Sequence, residues 1–143
     1  MINILNGVKD YVIPGMNGEY TLRINPTDDY FAESLNNLLE ECDKVEECYS
    51  ERVKAEENGT KLWEISKERN NKLRLLVDET LGNGFCDTVY GNISLHAGDG
   101  DGLPLWLSLI FSIFDEMSAE IDRENAATQA RLNKYVSKYK KKK

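Results

Sequence analysis

His96 and three cysteines, Cys42, Cys48 and Cys86, are the residues of this chain whose chemistry suits a nucleophile, a proton carrier or a soft metal ligand. Their spacing does not assemble them. His96 is the single histidine and stands in a glycine-rich segment. No serine occupies a nucleophile elbow, and no Cys/His pair has the spacing of a known nucleophilic site. Cys42 and Cys48 are six residues apart, which is neither a zinc-ligand spacing nor one face of a helix. Asp and Glu are abundant, but they fall where a helix would face solvent, and nothing singles out a carboxylate pair. The residues therefore predict no catalytic site, no metal site and no cofactor, and point to a protein that works by binding.

Two glycine-rich stretches could still hold a ligand. Gly82–Gly91 reads GNGFCDTVYG, but no Gly-Lys-Ser/Thr comes after it and no clear strand precedes it, so it is not a phosphate loop. Gly98–Gly102 reads GDGDG, but it lacks the ligand spacing and the closing glutamate of an EF-hand calcium loop. Both read as punctuation between elements.

The elements themselves carry clear periodic signals. Residues 1–25 predict β-structure with turns: Ile2, Ile4 and Val8 first, then Tyr11-Val12-Ile13, a breaker at Pro14–Gly18, and Tyr20, Leu22 and Ile24 alternating with polar residues. A hairpin of this size is marginal alone and must pack on the helices C-terminal to it. Asn25-Pro26-Thr27-Asp28-Asp29 opens a helix over 27–57, with Thr27 or Asp28 as cap. Its apolar stripe is Phe31, Leu35, Leu38, Leu39, Cys42, Val45, Tyr49 and Val53. Asn58-Gly59-Thr60 breaks it, with Gly59 in the left-handed conformation and Thr60 capping a second helix over 60–81. That helix carries Leu62, Ile65, Arg69, Leu73, Leu76, Val77 and Thr80, with Trp63 at the stripe's edge. A single helical turn around Phe85–Tyr90 ends at Gly91-Asn92, and Ile93 and Leu95 read as extended. A third long helix covers 103–133. The fold class is mainly α with some β (α+β): an N-terminal β-hairpin packed on a bundle of three to four helices, one globular domain over 1–133 with a flexible basic tail over 134–143.

The third long helix is unusually apolar. Nine of the twelve residues Leu103–Phe114 are hydrophobic. A helix apolar on nearly all sides must be covered on nearly all sides. Either the hairpin and the earlier helices wrap it, or one face is kept for another chain. Burying Trp106, Phe111 and Phe114 is worth about 2–3 kcal/mol each, in a core or in an interface. Aromatics are the usual anchors of interfaces. The candidate partner-binding residues are therefore Trp106, Ile110, Phe111 and Phe114, with Trp63 as a further anchor.

Charge is divided along the chain. All 25 acidic residues lie at or before Glu124, whereas Arg131, Lys134, Lys138 and Lys140–Lys143 supply seven of the 18 basic ones. The acidic body argues against nucleic acid as the main partner, because phosphate contacts need a cationic surface. Leu103–Phe114 is too short to span a bilayer and is flanked by acids. An odd cysteine count and the absence of a signal-type start predict a reducing, cytosolic compartment.

The middle of the chain resembles a family. Val77-Asp78-Glu79-Thr80-Leu81-Gly82-Asn83-Gly84 with Val89-Tyr90-Gly91, then Leu103-Pro104-Leu105-Trp106, is similar to small proteins from the tail-gene cluster of long-tailed bacteriophages and prophages of Gram-positive bacteria. The helix start Asn25–Phe31 and the lysine-rich end are similar too. Leu81 and Tyr90 depart from the pattern, standing where Phe is more usual. The resemblance implies a tail assembly chaperone that coats the tape measure protein before tube subunits polymerise, acting in the cytoplasm of the bacterial host, with self-association as a second mode. It also implies a longer product made by ribosomal frameshifting, which the Lys140–Lys143 run would permit at the codon level. The alternatives are a structural tail component, such as a completion or connector subunit, and a regulator using the basic tail.

Overall fold

The computed structural model describes the backbone of residues 1–140 and the side chains through Lys134. It is mostly helical, with an N-terminal two-stranded antiparallel hairpin and then four helices, as expected. Strand β1 is Lys9–Gly15 and β2 is Gly18–Ile24, paired in register from Lys9↔Ile24 to Gly15↔Gly18 around a Met16-Asn17 turn. Tyr11, Ile13, Tyr20, Leu22 and Ile24 share the inner face, the side that period-2 alternation turns towards the core. The strand does not begin at Ile2. Residues 1–8 form no regular structure, and Ile2 and Ile4 are exposed. Gly7 at φ 72° and the Asn6 side chain, which accepts from the Val8 amide, turn the chain there instead.

Helix α1 spans Asp29–Ala55 and is capped by Asp28, whose carboxylate accepts from the Tyr30 amide at 3.0 Å. Leu35, Leu38, Cys42 and Tyr49 are buried along its stripe, while Val53 lies at the surface. Helix α2 spans Gly59–Leu81. Its cap is Asn58, not Thr60: the Asn58 carboxamide accepts from the amides of Thr60 and Lys61 at 3.0 and 3.3 Å. Gly59 is accordingly the first helical residue, with no left-handed backbone. The short link makes α1 and α2 an antiparallel pair. Arg69–Glu46 and Arg52–Glu68 ion pairs cross between them.

Helix α3 is the expected short piece, Phe85–Tyr90. Leu95 is buried rather than part of a strand, and an isolated bridge joins Gly98 to Pro104. Helix α4 runs Leu105–Lys140. It passes the predicted end at 133 because no proline or glycine occurs after Pro104. Part of the expected tail is thus helical, and residues 141–143 lie outside the described ones. One apolar cluster joins β2, α1, α2, α3, Leu95 and the first half of α4, with Leu35, Leu73, Val77, Phe85 and Ile110 at its centre.

Two glycines are required by packing. Gly15 lies against α3, where a Cβ would sit 2.4 Å from the Thr88 carbonyl oxygen. Gly82 ends α2 at φ 125°, beneath the Tyr20 hydroxyl that donates to the Leu81 carbonyl.

Candidate binding surfaces

The residues with catalytic chemistry come together only in part. Ser66 Oγ lies 3.1 Å from His96 Nε2. The other ring nitrogen, Nδ1, is buried and has no partner among the described residues, so no carboxylate orients the ring as a triad would require. Burial and the nearby Arg69 guanidinium push the His96 pKa down, against a smaller opposing pull from Glu46. Burial pushes the Cys42 thiol up to about 12, and pushes Cys86 up as well, with Asp78 adding to it. Neither is a ready thiolate. Among the described residues, no group of three or more His, Cys, Asp or Glu side chains could hold a metal ion.

The glycine-rich segment is held by side chains rather than shaped around a ligand. Arg74 donates to the Gly91 carbonyl, to the Ile93 carbonyl at 2.8 Å and to Asp87 at 3.1 Å. Asp78 Oδ1 accepts from the Cys86 amide at 2.9 Å, and Asn70 Oδ1 from the Leu95 amide at 2.8 Å. In the DGDG loop, Asp99 Oδ1 accepts from the Asp101 and Leu103 amides. Its carboxyl is held below the usual range by those two amides.

The five predicted partner-binding residues are divided by the fold. Trp106 and Ile110 are 2% and 0% exposed. They belong to the chain's own core, because the face of α4 that bears them packs on the cluster and the Trp106 amide donates to the Leu95 carbonyl at 3.1 Å. Phe114 is half-buried against the same cluster. Phe111 is 43% exposed on α4, and Trp63 is 73% exposed near the start of α2. Of the five, these last two are available as open aromatic surface.

A groove of about 420 Å³ lies between the hairpin and the first half of α4. Tyr11, Ile13, Leu22 and Ile24 form the hairpin wall, Leu105, Leu109, Ile113 and Met117 the helical wall, and Val89 and Tyr90 of α3 close one end. Ser108 and Ser112 put small side chains on the helical wall. The rim on α4 carries both signs of charge, with Arg123 opposing the nearby acids at Tyr11. Glu116 lines the groove, and Glu120, Glu116 and Glu124 all raise the Tyr11 pKa after burial itself. Glu120 is clamped between the Arg123 guanidinium and the Lys9 ammonium, which hold its carboxyl down at about 2. This clamp ties β1 to α4.

No sequence motif marks the groove. The alternation that puts Tyr11 and Ile13 on one face is visible in the residues, but its meeting with Leu109 and Ile113 depends on how α4 lies across the sheet. Among the described residues, no helix is long and apolar enough to cross a membrane. Compared with families of known proteins, with curated proteins and with solved structures, the chain matches none.

Proposed function

We propose that this protein is a non-enzymatic chaperone of phage or prophage tail assembly, which binds and shields the tape measure protein in the cytoplasm of the bacterial host. One observation carries the reading: an open, mostly apolar groove between the hairpin and α4, beside a helix whose core face is already packed. An amphipathic helix fits such a groove by laying one apolar stripe into it, and needs no catalytic group to do so. A tape measure protein is long, helical and hydrophobic, and would expose such stripes until the tail tube encloses it. The acidic body keeps the complex soluble while apolar surface is covered. The identity of the partner comes from the resemblance of the Val77–Gly91 and Leu103–Trp106 segments to tail-cluster proteins.

The test is co-expression with the tape measure protein of the same gene cluster. The expected result is that this chain keeps the larger protein soluble and co-purifies with it. The groove variant Ser112→Arg, at an exposed wall position, should fold normally and lose that effect. Unchanged solubility and no co-purification would refute the reading. Recovery of the chain from purified particles would favour a structural tail component instead.

A further inference from the structure

The face of α4 turned away from the groove has a regular pattern. Leu107, Phe111, Phe114, Ser118, Ile121, Asn125, Thr128 and Leu132 succeed one another at alternating intervals of four and three. That is the heptad spacing of a coiled-coil seam. Leu107 and Phe114 pack on the chain's own core, and the seam beyond Phe114 is left open. Phe111, Ile121 and Leu132 are 43%, 40% and 52% exposed, and every residue from Asn125 to Lys134 is exposed. A helical stretch that touches nothing is marginal in water, so this one needs a partner to persist. It cannot fold back on its own body, because α4 is one unbroken helix.

Charge selects the partner and its direction. The first half of the seam is flanked by Asp115, Asp122 and Glu124, the second by Gln129 and Arg131. A parallel pair would leave both Glu124 and Arg131 without an opposite charge. An antiparallel pair of the same helix sets Glu124 of each copy against Arg131 of the other, and such a pairing is self-complementary about a two-fold axis.

We propose that two copies of this protein pair through α4 as an antiparallel coiled coil. In the register that satisfies the charges, Ile121 of one copy meets Leu132 of the other. The central Asn125 meets Thr128, so the polar interruptions pair with each other. Glu124 and Arg131 flank the seam as two symmetric ion pairs. A polar residue in the seam is the usual device for fixing register. The dimer leaves the groove open and does not depend on what binds there.

The test is the mass of the full-length protein by sedimentation equilibrium at micromolar concentration. The expected mass is twice the 16.3 kDa of one chain. Leu132→Asp, at an exposed position, should leave the circular dichroism of the body intact and weaken the dimer more than ~100-fold. Arg131→Glu should weaken it about tenfold, and Glu124→Arg combined with it should restore it. For direction, chains bearing Ile121→Cys and chains bearing Leu132→Cys are mixed in a Cys48→Ser background. Disulfides should form between the two kinds of chain and not between two Leu132→Cys chains. A monomeric wild type, a dimer unaffected by Leu132→Asp, or a Leu132→Cys homodisulfide would each overturn the proposal.

Discussion

Gly15, at the end of β1, approaches the backbone of Thr88 in α3 so closely that a Cβ would lie 2.4 Å from the Thr88 carbonyl oxygen and 2.5 Å from Val89 Cα. The atoms in the way are backbone, so no side-chain rotation relieves the clash. Two hydrogen bonds hold the approach: the Met16 amide donates to the Val89 carbonyl at 3.0 Å, and the Asn17 amide to the Thr88 carbonyl at 2.9 Å. Gly15→Ala must push the turn off α3 and loosen both. The expected cost is about 1–3 kcal/mol, as for overpacking elsewhere, measured by urea denaturation. Gly18→Ala meets nothing within 4 Å, and its cost comes only from the unfavourable backbone at φ 108°. Equal costs for the two variants would show that the contact with α3 is not formed.

The Lys9–Glu120–Arg123 clamp predicts an acid-sensitive contribution to stability. The folded Glu120 carboxyl has its pKa lowered from 4.5 to about 2, by the hydrogen bonds from Arg123 first and from Lys9 second. A lowered folded pKa stabilises the charged form in the native state. The contribution is therefore present above about pH 4.5 and lost as the pH falls through about 2. Glu120→Gln should be less stable than the wild type at neutral pH and should lack this part of the acid transition. Lys9→Met should reproduce much of the loss, and the double variant should cost less than the sum, because the two side chains share one contact. A wild type and a Glu120→Gln variant with parallel stability profiles between pH 5 and pH 2 would contradict the clamp.

The two aromatics at positions 106 and 111 should behave in opposite ways. Trp106 is 2% exposed in the core, so Trp106→Ala should cost about 3–5 kcal/mol and leave a chain that unfolds at modest denaturant. Phe111 is 43% exposed, so Phe111→Ser should change the stability of the isolated chain by less than about 1 kcal/mol. Thermal melts separate the two, and a large loss in both variants would place Phe111 in the core.

These residues also mark how far the sequence could be read. Period-2 alternation at Tyr20, Leu22 and Ile24 and the three- and four-residue spacing from Leu35 to Tyr49 give the hairpin and α1 directly, because each element's inner face is written into its own repeat. Helix ends were less legible: Asn58, Gly59 and Thr60 are all competent at a helix start, and only the geometry of the Asn58 carboxamide decides among them. Helix α4 was the hardest case. Leu103–Phe114 is apolar almost throughout, so composition shows that it must be covered but not which face the chain covers itself. That depends on contacts with residues distant in sequence, such as Lys9 with Glu120. The split between buried Trp106 and Ile110 and exposed Phe111 is a tertiary fact. The groove is legible only once the hairpin has been placed on α4, since neither wall is a motif.

The three cysteines should differ sharply towards a thiol reagent. Cys48 is exposed on α1, whereas Cys42 and Cys86 are buried, and all three are free thiols. Reaction requires the thiolate and access to it. Burial denies Cys42 both, lifting its pKa to about 12 with Glu46, Asp43 and Glu41 adding to the effect. Cys86 is raised too, by burial first and then by the Asp78 carboxylate, and its Sγ lies 3.8 Å from the Arg74 carbonyl oxygen. Under native conditions at mildly alkaline pH, one thiol should react promptly, and the other two only as the chain unfolds. Cys48→Ser should abolish the prompt phase with little effect on stability. Cys42→Ser should leave it intact and cost about 1–3 kcal/mol, because a hydroxyl replaces a thiol in an apolar site. Prompt reaction of all three thiols in the native protein would mean that α1 and α3 do not close over Cys42 and Cys86.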